Sequence, residues 1–182
     1  YKVIYIKVGK KNEEEDIEII KKTRLAIGKN RRLRIDPNEH WPILKMRRLI
    51  ERVKDYNIEF IEQPFPAKDL NSSIELKKKS PLEIFADENS LNSNDIKPIR
   101  HAFHGINIKL MKCGSLEEGK KMINIARENG LKVMLGCMVE TSVGITNASH
   151  LAGEVDFVDL DGNLLIKNDP YSGVVVNDGR LV

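Results

Sequence analysis

Long apolar runs, cysteines and an excess of charge of one sign are all scarce in this 182-residue chain. No apolar run approaches the roughly 20 residues that a membrane-spanning helix needs, and no signal peptide opens the sequence, so we expect a cytoplasmic protein that does not act in a membrane. The two cysteines, Cys113 and Cys137, have neither a metal-site spacing nor a disulfide framework. We interpret both as unpaired thiols.

The formal net charge is only +3, although 31% of the residues are charged. Lysines and arginines alternate with acids, as in residues 10–24, rather than forming a basic stripe, so we do not expect nucleic acid as a partner. The hydrophobic share of 41% suits one globular domain with a sizeable core. The chain opens on an apolar segment with neither an initiator Met nor a polar lead-in, so we expect it to be part of a longer protein.

Short β-rich runs alternate with amphipathic segments along most of the chain, which is the pattern of repeated βα units around a parallel sheet. The predicted strands cover residues 2–8, 32–36, 58–63, 82–87, 105–111, 132–138 and 155–161. The predicted helices cover residues 13–27, 41–55, 69–79, 92–103, 115–129 and 142–152.

The strands are continuously apolar, so both faces of the sheet should be buried, which leaves a doubly wound sheet or a barrel. A polar residue at the C-terminal end of nearly every strand favours an α/β fold of the (β/α)-barrel, or TIM-barrel, type. Seven strands do not close a ring of eight, so we expect one strand to be missing before Tyr1. Residues 1–162 would then supply strands two to eight, and residues 163–182 a C-terminal tail.

Three carboxylates end three successive strands: Asp36, Glu62 and Asp87. They are separated by 26 and 25 residues, one βα unit each, which predicts equivalent depths in the fold. Adjacent strands lie only about 5 Å apart, so the three acids could share one cation. Hard oxygen ligands of this kind suit Mg²⁺.

Lysines lie on the strands either side of this triad, Lys7 on the first and Lys109 on the fifth. The two lysines are four strands apart, so in an eight-strand ring they would stand on opposite walls and could act as bases on opposite faces of a substrate. The alternative is that each lysine snorkels to solvent at its strand end. The set as a whole favours proton removal next to a carboxylate, with racemisation or epimerisation when both lysines act, and β-elimination or cycloisomerisation when one does.

Two more acids end the last strand, Asp159 and Asp161, and alternate residues of a strand point the same way. An acidic pair beyond the metal triad calls for a cation, either a substrate ammonium group or a neighbouring basic side chain. Glu140 could hold a lysine or orient substrate, or it could simply stabilise a helix N-terminus.

The stretches YIKVG, RIDPNEHW, IEQPFP, FADEN, INIKLMKCGS and GCMVETSVG resemble the enolase superfamily, in particular its muconate-lactonizing subgroup. DLDG followed by DPYSG is similar to the Asp-x-Asp signature of the dipeptide epimerases. This resemblance implies a Mg²⁺-dependent isomerase with Lys7 and Lys109 as the acid/base pair. It also implies three groups of other site residues: metal ligands Asp36, Glu62 and Asp87; supporting residues Asn38, Gln63 and Glu88; and substrate contacts Tyr5, Met138, Glu140, Asp159 and Asp161.

The sequence departs from that family in one motif: Tyr5 stands where the first lysine of K-x-K is usual. The resemblance also implies an N-terminal capping domain that has no counterpart here and towards which the tail would return. A small-molecule dipeptide is the expected substrate, and a homo-oligomer is left open. The alternatives are a cycloisomerase or o-succinylbenzoate synthase of the same subgroup, N-acylamino acid racemisation, and an inactive barrel fragment.

Overall fold

The computed structural model describes residues 1–9, 12–177 and 179–182. Its strands are β1 (Val3–Lys7), β2 (Arg32–Asp36), β3 (Ile58–Glu62), β4 (Glu83–Ala86), β5 (Gly105–Ile108), β6 (Lys132–Leu135), β7 (Phe157–Val158), β8 (Val176–Asn177) and β9 (Arg180–Leu181). Its helices are α1 (Glu13–Ile27), α2 (Ile43–Val53), α3 (Leu70–Lys79), α4 (Ser93–Ile99), α5 (Leu110–Cys113), α6 (Leu116–Glu128) and α7 (Ser142–Ser149). None of the helices in the described residues is long and apolar enough to cross a membrane.

The chain divides into two compact units, and the first consists of residues 1–89 and 101–104. It contains β1 to β4, which pair in parallel in chain order. Neighbouring residues set both ends of α1. It begins after the Asn12 cap and ends before Gly28, whose φ of 73° suits glycine. Strands β2 to β4 are largely buried, whereas β1 is only half-buried. Among the fully buried side chains, Phe60 stacks on Phe85 with ring centroids 4.2 Å apart.

The second unit consists of residues 90–100 and 105–182. Its strands β5, β6 and β7 pair in parallel, while β8 and β9 form a separate antiparallel hairpin. The Ser115 side chain caps α6 by accepting from the Glu118 amide at 3.1 Å. The Glu118 side chain does not complete a capping box, because it accepts instead from the Ser93 amide at the start of α4, at 2.7 Å.

The predicted βα order is confirmed, but six of the seven predicted strands are shorter than predicted, and the last three are shorter by three residues or more. The run 105–111 leaves the sheet after Ile108, and the residues after Lys109 form the short helix α5, closed by Gly114 with φ 90°. The runs 132–138 and 155–161 end at Leu135 and Val158. In the first two cases apolar residues continue past the end of the strand, so composition alone overestimates strand length. The third run is shorter at both ends, because the strand starts only at Phe157 and the acids Asp159 and Asp161 lie beyond it. The division between residues 1–162 and 163–182 stays a prediction.

Candidate active site

The three predicted metal ligands lie at the same end of neighbouring strands in the first unit. Asp36 is the last residue of β2, Glu62 the last of β3, and Asp87 follows β4 directly. They are 2%, 1% and 5% exposed, respectively. Buried carboxylates require cations or hydrogen-bond donors, so the partners of these three acids decide how their charge is compensated.

Lys7 meets this edge from β1, where its backbone is paired directly with that of Asp36. Its Nζ lies 3.0 Å from Asp36 Oδ2 and 2.7 Å from Asn38 Oδ1. The Asn38 amide also donates to Asp36 Oδ1 at 2.8 Å. Asn38 therefore contacts both the lysine and the carboxylate, and its role as a support of a metal site stays a prediction.

The Tyr5 hydroxyl, on the same strand, donates a hydrogen bond to Glu62. Burial raises the pKa of Tyr5 well above its usual range, and the negative charges of Glu62, Asp36 and Asp87 raise it further. The phenol therefore stays protonated at neutral pH and acts as a neutral donor. A substrate contact for Tyr5 stays a prediction; the contact that the structure gives it is to Glu62.

Gln63 links the ends of β3 and β4. Its Oε1 accepts from the Asp87 and Asn89 amides at 2.9 and 3.3 Å, and its Nε2 donates to Phe65 O at 2.9 Å and to Asn89 Oδ1 at 2.6 Å. The Gln63 backbone has φ 31°, a left-handed conformation that non-glycine residues rarely adopt. This side chain fixes the backbone that carries Asp87.

Glu88 follows Asp87 and is half-buried. Burial raises the pKa of its carboxyl, and the charge of Asp87 beside it raises that pKa again. Glu88 therefore adds a fourth acid to the same edge, next to the predicted ligands.

Asp36, Glu62 and Asp87 offer the hard oxygen donors that Mg²⁺ prefers, and each of them acts electrostatically on the same Tyr5 hydroxyl. The chemistry of the donor set and its place on adjacent strands fit a divalent cation. Within residues 1–9, 12–177 and 179–182, no three His, Cys, Asp or Glu side chains are already gathered in a metal-holding cluster. Two of the acids are turned towards protein donors, Asp36 to Lys7 and Glu62 to Tyr5.

The other predicted site residues lie in the second unit, also after strand ends. Lys109 follows β5 and is half-buried, and Met138 and Glu140 lie between β6 and α7. Asp159 and Asp161 follow β7, the first half-buried and the second exposed.

The two loops that carry these acids touch each other. A Cβ on Gly162 would overlap the carbonyl oxygen of Met138, so only glycine lets the loop after Asp161 approach so closely. Glu140 Oε1 accepts from the Met138 amide at 3.1 Å. Burial raises the pKa of the nearby Cys137 thiol to about 11, with Asp159, Asp161 and Glu140 adding to the effect.

Sequence reasoning missed the contribution of Asp169, in the DPYSG stretch. Its Oδ2 accepts from the Ser142 amide at 2.5 Å and its Oδ1 from the Tyr171 amide at 3.1 Å. Asp169 therefore caps α7 from 27 residues away along the chain. Threonine is a common N-cap residue, yet Thr141, the residue before α7, makes no side-chain cap bond, so no local sequence pattern pointed to Asp169.

A family model described as enolase C-terminal domain-like matches residues 1–168. The chain belongs to this family. The match confirms the predicted enolase-superfamily membership and the (β/α)-barrel class of fold. The sequence is 40% identical, over its whole length and 46% of the relative, to the L-Ala-D/L-Glu epimerase of Bacteroides thetaiotaomicron.

Solved structures of enolase-superfamily enzymes agree with this family assignment. A substrate-liganded L-Ala-D/L-Glu epimerase from Bacillus subtilis has a TM-score of 0.94 at 30% identity, covering 98% of this chain and 52% of that one. A dipeptide epimerase from Methylococcus capsulatus, complexed with Mg and the dipeptide L-Arg-D-Lys, has a TM-score of 0.91 at 34% identity, covering 100% of this chain and 53% of that one. The chain thus spans about half the length of the relatives it matches.

Proposed function

We propose that the protein carrying this chain is a Mg²⁺-dependent dipeptide epimerase that inverts the α-carbon next to the C-terminal carboxylate. The observation that carries the proposal is the arrangement at one sheet edge: three buried carboxylates on adjacent strands with the Lys7 amine 3.0 Å from the first of them. Relatives with the same fold are named as epimerases of dipeptides, and one is complexed with Mg and a dipeptide.

Asp36, Glu62 and Asp87 would hold the cation. A divalent cation bound there would stabilise the negative charge that develops on the substrate carboxylate when the α-proton leaves. Asn38 and Gln63 would keep Asp36 and Asp87 in place through the hydrogen bonds they already make.

Lys7 and Lys109 would exchange the proton. One amine breaks the α C–H bond and forms an N–H bond, while the electron pair passes into the carboxylate π system. The other, as an ammonium, returns a proton to the opposite face, so charge and protons balance. This pairing is inferred from the strand order and from the family.

Asp159 and Asp161 would bind the N-terminal ammonium of the dipeptide. The exposed carboxylate of Asp161 is accessible to a ligand arriving from solvent. A charged pair recognises an ammonium better than an acylated nitrogen, which favours free dipeptides over N-acylamino acids.

Chiral chromatography of an L,L-dipeptide library, incubated with the natural protein and Mg²⁺, tests this proposal. We expect L,D products that depend on Mg²⁺. Turnover of a purely anionic cycloisomerase or o-succinylbenzoate synthase substrate, unaffected by Asp161→Asn, would replace the proposal with its nearest alternative. A protein that converts neither class would be the inactive form.

A further inference from the structure

A buried carboxylate outside the predicted site joins the two loops on which Lys7 and Asn38 depend. Asp16, in the first turn of α1, is fully buried. Its Oδ1 accepts from the Gly9 amide at 3.0 Å, and its Oδ2 accepts from Trp41 Nε1 at 3.0 Å and from Lys45 Nζ at 3.3 Å. None of the proposed chemical steps uses this group.

The first of these contacts holds the end of β1. Gly9 lies two residues after Lys7, and the Val8 amide between them donates to Asp36 O at 2.9 Å. Gly9 has φ 95°, and a Cβ there would come within 2.7 Å of the Pro37 carbonyl oxygen. The backbone after Lys7 is therefore pressed against the loop after Asp36, and the Asp16 carboxylate holds it through the Gly9 amide.

The second contact holds the loop after β2. Trp41 is 1% exposed, and its own amide donates to Pro64 O at 3.2 Å. Asn38, which accepts from Lys7, lies three residues earlier with φ 45°. Asparagine tolerates this left-handed conformation better than most residues, and the Trp41 anchor holds the loop that carries it.

We propose that Asp16 is a positioning residue for Lys7: by bonding Gly9 and Trp41 together, it keeps the β1 end and the Asn38 loop at the separation that places the Lys7 amine. Lys45, whose Nζ also lies 5.5 Å from the centre of the Trp41 ring, supplies the counter-charge. The inference rests on the proposed function and assigns Asp16 to one of its two bases only.

The test uses the assignment of Asp16 to only one of the two bases. In a two-base epimerase each base faces the α-proton of one epimer. Exchange of that proton with solvent, without inversion, therefore reports the activity of the base that faces that epimer. Deuterium incorporation into L-Ala-L-Glu and into L-Ala-D-Glu is followed by NMR in D₂O with the natural protein and Mg²⁺. Lys7→Ala identifies the epimer that depends on Lys7.

For Asp16→Asn, we expect initial exchange from that same epimer to fall about 10- to 100-fold, the usual loss when a group that orients a functional residue is removed, while exchange from the other epimer changes less than about threefold. The matched control is Asp156→Asn. Asp156 also accepts from a backbone amide and a side chain, Val133 at 2.8 Å and Arg127 at 2.6 Å, but at the start of β6. It should show no asymmetry.

Equal losses from both epimers in folded Asp16→Asn would overturn the inference and make Asp16 a stability residue. If that variant does not fold, Trp41→Phe removes one donor and should give a two- to threefold asymmetry of the same sign; its absence would overturn the inference equally. No exchange by the unmodified protein would instead refute the proposed function, and this inference with it.

Discussion

The predicted metal ligands of the first unit are buried and bonded, whereas several predicted site residues of the second unit are open to solvent. Lys7 is the exception in the first unit, because its side chain is 67% exposed at the strand end although its amine contacts Asp36. Asp36, Glu62 and Asp87 are almost fully buried, and Gln63 and Asn38 hold the backbone or side chains beside them. In the second unit Asp161 is exposed, and Met138 is 44% exposed.

Burial of three acids is costly unless a cation and well-placed donors compensate for it. Such an arrangement suits a step that must be identical for every substrate, namely charge stabilisation at a carboxylate. Exposed acids and an exposed methionine suit contacts that change with the ligand. We therefore expect substitutions in the first unit to reduce turnover and those in the second to change substrate preference.

The largest effect should come from Lys7→Ala, which removes a proposed base and the partner of Asp36. We expect kcat to fall about 10²- to 10⁴-fold, the usual contribution of a positioned acid or base, with little change in folding. Lys22→Ala is the control, since Lys22 pairs with Glu18 on the α1 surface, at 3.5 Å, away from the predicted site. Steady-state kinetics and circular dichroism measure both; equal activity of the two variants would refute a role for Lys7.

The second-largest effect should come from removing the hydrogen bonds of the buried Gln63 side chain. Gln63→Leu leaves the Asp87 and Asn89 amides without their acceptor, so we expect the free energy of unfolding to fall by about 1–3 kcal/mol. Mg²⁺ affinity, measured by titration calorimetry, should weaken about 10- to 100-fold.

Ser73→Ala is the matched control for that variant. Ser73 is also buried, but its hydroxyl has no hydrogen-bond partner among the described residues, so its removal should leave Mg²⁺ affinity unchanged. If Gln63→Leu bound Mg²⁺ as tightly as Ser73→Ala, the hydrogen bonds of Gln63 would not be needed for metal binding by the first unit.

In the second unit, Asp161→Asn should act on binding. We expect KM for a free dipeptide to rise about fivefold, because an exposed ion pair contributes roughly 1 kcal/mol, while kcat stays within about threefold. An N-acetylated dipeptide should be unaffected. The control is Glu154→Gln, because Glu154 is also an exposed acid and pairs with Lys120 at 3.4 Å. A fall in kcat without a rise in KM would contradict the expectation that the second unit acts on binding and the first on turnover.

The smallest effect should come from Met138→Ala. Loss of an exposed apolar contact should change KM about two- to fivefold, and only for dipeptides with apolar side chains. Val143→Ala, at a similarly exposed position in α7, should change nothing. A uniform effect across polar and apolar dipeptides would argue against a role for Met138 in selectivity.

The residues at strand ends could be predicted from sequence, because apolar runs followed by Asp36, Glu62 and Asp87 recur with the βα period. The positions where strands end were predicted less accurately. The helix α5 after Lys109 has only four residues and ends at Gly114, so it is too short to show a helical period in the sequence. The bonds from Asp16 to Trp41 and from Asp169 to Ser142 span 25 and 27 residues. Contacts between distant residues of this kind depend on how loops meet in the fold, which spacing does not encode.

Deuterium incorporation at the α-carbon tests the central claim most directly. The natural protein is incubated in D₂O with an L,L-dipeptide library, first with Mg²⁺, then after chelation, then with Mg²⁺ restored. The account predicts α-deuteration accompanied by inversion, its loss on chelation and its return with the cation. A folded protein that exchanges no dipeptide proton, or one that exchanges equally well without a divalent cation, would contradict it.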